Sequence, residues 1–353
     1  MTAEPEESYK NAPLASLVPG MTIESVYYLC EAAEKVARTG KPYCDLKLRD
    51  KTGCRTAKYW SPLEGFETCS YVFVRGNTQE YAGATNLVVK EIVNINEDDV
   101  DMNDFLVVVD NIREYQNTFL DYINQITNPT LKAIIGAIFT DKFQEQFMEA
   151  PASEGSRYGA LGGAIMQTCR VAAAAEQMSY SYDLSSDSKE MLIASSLISN
   201  SGKVYAYELV DHIPTLTIKG ALYGEFALAY QKVILALIKL KQDKTSAAKL
   251  AGVPEGDWVL DEDIVLQLTH LVLSSRSGNI DPGNRDERLG AVLPQSIEAM
   301  ILSQCYMSDE RAAAAYDAIK STELMNSDPN DPFTPWDYGT RRRFLKPEFF
   351  DSK

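Results

Sequence analysis

Gly40-Lys41-Pro42-Tyr43-Cys44-Asp45-Leu46-Lys47-Leu48-Arg49-Asp50-Lys51-Thr52-Gly53 alternates side-chain character from Tyr43 to Arg49 and then reaches a turn. Successive side chains of a strand point to opposite faces. Cys44, Leu46 and Leu48 therefore share one face, which suits a core, while Tyr43, Asp45, Lys47 and Arg49 share the other. Asp50-Lys51-Thr52-Gly53 has the polar and glycine residues of a hairpin connection. The run that follows it, 54–60, reads as the partner strand.

Working outward, the same alternation predicts strands over 25–36, 43–49, 54–60, 70–75 and 86–94, with Gly40 and Gly53 at turns and Gly76-Asn77 closing a run. Five closely spaced strands suit a small OB-type barrel. Val72 and Val74 point inward, and Tyr71, Phe73 and Arg75 point outward, with Trp60 and Tyr81 nearby. Rings interleaved with cations are what single-stranded nucleic acid requires, because bases stack on aromatic faces while phosphates seek Lys and Arg. Tyr43, Lys47, Arg49, Lys58, Trp60, Tyr71, Phe73, Arg75 and Tyr81 are the candidate contacts. The competing reading is that strand aromatics reflect β-propensity and close one end of the barrel.

After an acidic connector from Asn96 to Asn103 the period becomes helical, with Phe119, Ile123 and Ile126 and then Leu131, Ile134, Ile135 and Ile138 on helical spacings. Asn128-Pro129 separates these two helices. Further helices are predicted at about 157–178, 187–199, 219–241, 261–274, 294–307 and 309–323. Gly159-Ala160-Leu161-Gly162-Gly163 reads as a small-residue helix contact, since no Gly-Lys-Ser/Thr follows to make a phosphate loop. The fold class is multidomain α+β, a five-stranded β-barrel followed by an all-α domain.

A net charge of −16 weakens long-range attraction to phosphate, so a nucleic-acid site must be local. Residues 20–95 are close to neutral, because Lys35, Arg38, Lys41, Lys47, Arg49, Lys51, Arg55, Lys58, Arg75 and Lys90 nearly balance the acids. Cysteines 30, 44, 54, 69, 169 and 305 show no CxxC pair, which argues against a zinc ribbon or redox motif. Cys44 and Cys54 read as small core residues of strands. The N-terminus is acidic rather than basic and then apolar, so no export signal is expected. The most apolar helical stretch, Val233 to Leu240 between Lys232 and Lys241, is well below the roughly 18 apolar residues of a membrane span. A cytoplasmic protein with no membrane partner is expected.

The string 40–53, followed by Ala57-Lys58-Tyr59-Trp60 and by Gly76-Asn77-Thr78-Gln79-Glu80-Tyr81, resembles the OB domain of the YhaM-type 3′–5′ exoribonucleases. The helical region resembles that family's HD domain. Pro151-Ala152, Arg157-Tyr158 and Gly163-Ala164-Ile165-Met166-Gln167-Thr168 match PAAxxxHH and GLLxHT. Leu197-Ile198-Ser199-Asn200-Ser201-Gly202-Lys203 matches LLHDIGK, Gly220 to Glu225 matches GxLLGH, and His270 to Gly278 matches HxILSHHxG. The closing Phe333-Thr334-Pro335-Trp336 and Arg341-Arg342-Arg343 also resemble the family's tail.

What the resemblance implies is a divalent ion, Mn²⁺ or Mg²⁺, held by imidazoles and carboxylates, which lowers the pKa of a bound water for attack on a phosphodiester. At the implied positions stand Arg157, Tyr158, Gln167, Ser199, Asn200, Glu225, Ser275 and Arg276, with Asp309 at a late aspartate. His212 and His270 are the chain's two histidines, and His270 matches a family histidine that flanks the ligand pair. No cofactor and no catalytic residue are therefore expected, although Gln167, Asn200, Glu225 and Asp309 offer oxygen donors to Mg²⁺. Arg157 and Arg276 suggest instead a pocket gripping phosphate through guanidinium forks.

The expected organisation is an extension over 1–19, an OB nucleic-acid-binding domain over 20–96, a helical connector over 97–150, a degenerate HD-like domain over 151–325 and a tail over 326–353. The expected function is non-catalytic binding of single-stranded nucleic acid, RNA more than DNA, with the helical domain as scaffold. The alternatives are a divergent metal-dependent 3′–5′ exoribonuclease and a structural or regulatory subunit. The resemblance also implies a homo-oligomer, or a hetero-oligomer with an active relative.

Overall fold

Alternation along the chain becomes a closed barrel in a computed structural model, in which the described residues are 11–37, 40–62, 68–81, 84–154, 157–276, 292–324, 331–337 and 341–346. The strands are β1 (Thr22–Val36), β2 (Pro42–Asp50), β3 (Gly53–Tyr59), β4 (Ser70–Tyr81) and β5 (Ala84–Ile95). Their order around the barrel is β1-β2-β3-β5-β4, with β3 and β5 parallel and the other neighbours antiparallel. This is a five-stranded OB barrel.

Cys44, Leu46 and Leu48 of β2 and Val72 and Val74 of β4 all point inward, joined by Ile23, Tyr27, Leu29, Ala57, Leu87 and Val89. Each fully buried Leu or Val side chain contributes about 1.5–3 kcal/mol. One rim is closed by polar bonds: Tyr27 donates its hydroxyl to the Ala12 carbonyl at 2.7 Å, and the Asp50 carboxylate accepts the Leu14 N–H at 2.6 Å.

Two strand expectations are corrected. Cys54 is exposed, because Ala57 sets the inward phase of β3 and places Cys54, Thr56 and Lys58 outside. Gly76-Asn77 does not end a run: β4 continues to Tyr81 through a bulge at Arg75/Gly76. There β5 crosses so closely that a Cβ on Gly76 would lie 2.4 Å from the Val88 carbonyl oxygen, so only glycine fits.

The chain divides into two compact units, Met1–Val107 and Val108–Lys353. The second contains α1 (Ile112–Gln125), α2 (Pro129–Ile138), α3 (Asp141–Glu149), α4 (Gly163–Ser181), α5 (Ser186–Ser199) and α6 (Lys203–Ala206). A hairpin of β6 (Tyr207–Val210) and β7 (Ile213–Leu216) follows, then α7 (Ile218–Gln242), α8 (Lys244–Ala251), α9 (Glu262–Ser274) and α10 (Ile297–Leu324). One apolar core takes Phe119 from α1, Ile134 from α2, Phe143 from α3, Ile165 from α4, Leu197 from α5, Val233 from α7, Leu268 from α9 and Leu302 from α10. The Asn128-Pro129 signal acts as read: the Asn128 side chain accepts the Thr130 and Leu131 N–H groups, and Pro129 starts α2.

Three helical expectations change. The helix placed at 157–178 begins only at Gly163, because Gly162 caps it at φ 82° and a Cβ on Gly163 would lie 2.0 Å from the Tyr158 carbonyl oxygen. Gly159 to Gly163 is thus the approach to α4, and its Gly162 does lie against α1, where a Cβ would come within 2.6 Å of Ile112 Cδ1. The two helices expected over 294–307 and 309–323 are one, since no breaker separates Met307 from Asp309. The hairpin at 207–216 was not expected; Asp211 and His212 both have positive φ, 51° and 64°, as a two-residue primed turn needs.

α7 is also longer than the apolar core of 233–240. Its 25 residues are long and apolar enough to cross a membrane by length and composition alone. Its Ala229, Val233, Ala236, Leu237 and Leu240 pack into the helical core, and Leu228 is buried as well.

Candidate functional site

Cross-strand register builds the outer face of β2 and β3. Tyr43 lies beside Lys35, Asp45 opposite Lys58, Lys47 opposite Thr56 and Arg49 opposite Cys54. The Tyr43 and Trp60 ring centroids are 5.1 Å apart with planes inclined by 35°, and Lys58 Nζ lies 4.8 Å from the Tyr43 centroid. Trp60 is 50% exposed. Two rings and an ammonium thus form one accessible platform.

The other expected cations are differently placed. Lys47 pairs with Glu31 at 2.6 Å, and Arg75 lies between Glu24 and Glu91 at 2.7 Å from each while stacking on Phe73. A phosphate there must compete with carboxylates. Arg49 is half-buried and makes no ion pair among the described residues. Tyr71 is a correction: it is 4% exposed, edge-on to Tyr28 and to Phe105 at 5.3 and 5.0 Å. The segment after the last strand covers it, with Val100, Met102 and Phe105 packed over that outer face. Burial pushes its hydroxyl up to about 12, with the Glu97 charge adding to it. The side chain of Tyr81 lies outside the described residues.

In the helical unit a cavity of about 270 Å³ is lined by Tyr158, Gln167, Lys203, Tyr207, Glu225, Arg276 and Glu310, among others. Gly224, at φ 73° and ψ 155°, breaks the helical path of α7 one residue before Glu225. Only glycine adopts that conformation cheaply. Gly202 lets the start of α6 touch α7, where a Cβ would lie 1.9 Å from the Glu225 carbonyl oxygen. That close approach brings Lys203 Nζ to 2.8 Å from Glu225 Oε2, while it also donates to the Ala152 carbonyl at 2.7 Å.

The second oxygen of Glu225 receives Arg276. Arg276 Nη2 is 3.0 Å from Glu225 Oε1 and 3.5 Å from Gln167 Oε1, its Nη1 pairs with Glu310, and the guanidinium carbon lies 4.9 Å from the Tyr306 ring centroid. Asp309 is engaged separately, accepting the Tyr158 hydroxyl at 2.6 and 2.7 Å with Arg170 at 4.0 Å. Asn200 donates to Thr168 Oγ1 at 2.9 Å, and the Ser199 and Ser275 hydroxyls donate to backbone carbonyls. Arg157 does not line the cavity: its guanidinium stacks 4.4 Å from the Tyr316 ring centroid. The expected double-arginine fork is therefore corrected, because one arginine is held on an aromatic ring and the other by carboxylates. His270 accepts the Gln295 N–H at 2.9 Å, a packing role.

One carboxylate between two cations explains the titration of the pair. Burial alone would raise the Glu225 carboxyl, but the charges of Lys203 and Arg276 outweigh it and hold it below the usual range. Lys203 has one anion and one repelling guanidinium beside it; burial first, and then Arg276, bring it down to about 8 against the pull of Glu225. Below pH 8 the ammonium is charged in both the folded and the unfolded chain. Between about 8 and the ordinary 10.5 the unfolded chain binds the extra proton, so stability rises with pH. Wild type should gain on the order of 1 kcal/mol over Lys203→Met between pH 7 and 9, since one pKa unit is about 1.4 kcal/mol. Parallel urea unfolding curves with a constant gap would contradict this.

Among curated proteins the chain is 26% identical over 256 residues to the 3′–5′ exoribonuclease YhaM of Bacillus subtilis, covering 70% of this chain and 74% of that protein. It is 25% identical over 262 residues to YhaM of Listeria welshimeri, with 72% and 76% covered. The chain is similar to the YhaM exoribonucleases. No protein-family model matches it. Among solved structures, the second OB-fold domain of replication protein A from Methanococcus maripaludis is 20% identical, covers 25% of this chain and 97% of that one, and superposes with a TM-score of 0.21. The barrel's own strand order carries the OB assignment.

The divalent ion implied by the YhaM resemblance does not fit the residues present. Among the described residues no group of three or more His, Cys, Asp or Glu side chains could hold a metal ion. The oxygens that converge in the cavity, from Glu225, Gln167 and Glu310, converge on a guanidinium. Of the expected positions, the cavity unites Tyr158, Gln167, Glu225 and Arg276 and leaves Arg157, Ser199, Asn200, Ser275 and Asp309 off its wall. Lys203 and Glu310 were not read as site residues. Lys203 ends the string matched to LLHDIGK, three residues past Asn200, and Glu310 directly follows Asp309.

Proposed function

We propose that this chain is a non-catalytic YhaM-like protein that holds single-stranded nucleic acid, RNA in preference to DNA, on the outer face of β2 and β3. The observation that carries the reading is the Tyr43–Trp60 pair, half-exposed at Trp60 and with Lys58 beside it, on a barrel whose Lys35, Lys47 and Arg75 are each paired with carboxylates. Stacking is sequence-tolerant and an ammonium at its edge meets the backbone phosphate. The helical unit serves as scaffold, since its cavity holds a guanidinium at the point where an ion would have to generate hydroxide.

The test is to incubate end-labelled single-stranded RNA, single-stranded DNA and duplex with the pure protein and Mn²⁺ or Mg²⁺, beside a catalytically intact YhaM. The expected result is retention of single strands, RNA above DNA, with no change in length. Stepwise shortening from the 3′ end would establish the divergent exoribonuclease instead.

A second reading, assembly with further copies or with an active relative, is favoured by one surface. Leu209, Val210, Leu216, Ile218, Leu222 and Tyr223 are all exposed along β6, β7 and the start of α7, Ile218 to 81%. Large apolar side chains left exposed in this number on one hairpin and the helix that follows it are what an interaction site offers. A monomeric mass in solution, unchanged by added YhaM relative, would remove this reading.

A further inference from the structure

We infer that Lys203 and Arg276 replace a divalent cation inside the helical unit, and that removing the Arg276 guanidinium converts the cavity into a divalent-metal site. Metal sites are recognised by oxygen donors from separate elements that converge on one point. Here Glu225 from α7, Gln167 from α4 and Glu310 from α10 do so, and the Arg276 guanidinium takes up their oxygens, at 3.0 Å from Glu225 and 3.5 Å from Gln167. Arg276 Nε, buried in the same group, has no hydrogen-bond partner among the described residues, so the guanidinium is placed by its charge contacts at two nitrogens.

Charge decides the occupant. With Lys203 and Arg276 facing Glu225 and Glu310, the two signs already balance, and a divalent ion would add two positive charges beside two fixed cations. Without Arg276 the balance becomes one ammonium against two carboxylates. Glu225 Oε1 and the Glu310 carboxylate lose their guanidinium partner, while Lys203 still holds Glu225 Oε2 at 2.8 Å. The cavity, about 270 Å³ before any truncation, has room for an ion that keeps part of its water shell. A carboxylate pair with an amide oxygen and water is a donor set that Mn²⁺ or Mg²⁺ accepts. This outcome is independent of whether the barrel binds nucleic acid.

The experiment titrates Mn²⁺ into the full chain and follows the free aqueous ion by electron paramagnetic resonance, with thermal melts in parallel. Wild type, Arg276→Ala and Arg276→Ala/Glu225→Gln are compared at equal concentration, so that weak binding to the acidic surface cancels. Arg276→Ala should take up one Mn²⁺ more than wild type and melt several degrees higher with Mn²⁺ than without it. Wild type should melt at the same temperature in both, and adding Glu225→Gln should abolish the extra uptake. Arg276→Gln stands in if the alanine variant does not fold. The inference is overturned if neither Arg276 variant takes up more Mn²⁺ than wild type, or if wild type takes up an ion that Glu225→Gln alone removes.

Discussion

Replacing Glu225 with alanine is expected to destabilise the helical unit by about 3–5 kcal/mol, the usual cost of leaving a buried charge unpaired. Lys203 at 2.8 Å has this carboxylate as its ion-pair partner, Arg276 at 3.0 Å shares it with Glu310, and the Lys203 side chain is 3% exposed. An ammonium so buried cannot turn to water, so it must lose its proton or pull the cavity open. In a unit of this size the loss corresponds to a fall in melting temperature on the order of 10 °C. Glu310→Ala should cost far less, about 1 kcal/mol or below, because Glu310 is about a third exposed and its carboxylate faces only Arg276 in this network. Lys203→Met in the Glu225→Ala background should restore part of the stability, since it removes the stranded charge, and the two effects will not add. Far-ultraviolet circular dichroism melts check all four proteins. A Glu225→Ala melting temperature within a degree or two of wild type would mean that water already shields the network.

Most of the barrel was legible because its strands are local objects. The period of Cys44, Leu46 and Leu48 fixes the inside of β2, and the register to β1 and β3 then fixes every outward neighbour. What alternation does not reveal is what later covers an outward face. Tyr71 was assigned to the ligand side correctly in phase and wrongly in exposure, because Phe105, well past β4 in sequence, folds back on it. The pairing of Arg75 was equally hidden, since Glu24 and Glu91 reach it from β1 and β5. The bulge at Gly76 looked like a turn because glycine marks both.

The cavity was legible in part. Matching motif positions named Gln167, Glu225 and Arg276, which do meet, and also Arg157, which does not, because spacing within each motif says nothing about which ring a long side chain lies on. Lys203 shows a deeper limit. A lysine at a helix start normally reads as solvated surface, and only the glycine before it, pressed against the α7 backbone, makes it a buried partner of Glu225. The same holds for Gly224, a glycine in a helical run whose positive φ was not signalled by its neighbours.

Replacing Trp60 with alanine is expected to weaken single-strand binding by about 5- to 150-fold, which is the roughly 1–3 kcal/mol that stacking one base contributes. Trp60 presents half of its surface and its neighbour Tyr43 lies 5.1 Å away, so the indole offers a broad flat apolar face beside a second ring. Tyr43→Ala should fall in the same range, because it removes both a ring and the platform beneath Lys58. Lys58→Ala should act differently, lowering affinity uniformly across sequences and reducing the salt dependence by about one phosphate contact. Arg75→Ala should change little, since the guanidinium is already shared by Glu24 and Glu91. Trp60 is the barrel unit's single tryptophan, with the others at 258 and 336, so quenching of its fluorescence by a short oligonucleotide reports the contact directly. Anisotropy titrations at two salt concentrations separate the stacking and charge contributions. Equal affinities for wild type, Trp60→Ala and Tyr43→Ala would move the binding surface off this face, and with it the reason for assigning these rings to nucleic acid rather than to barrel closure.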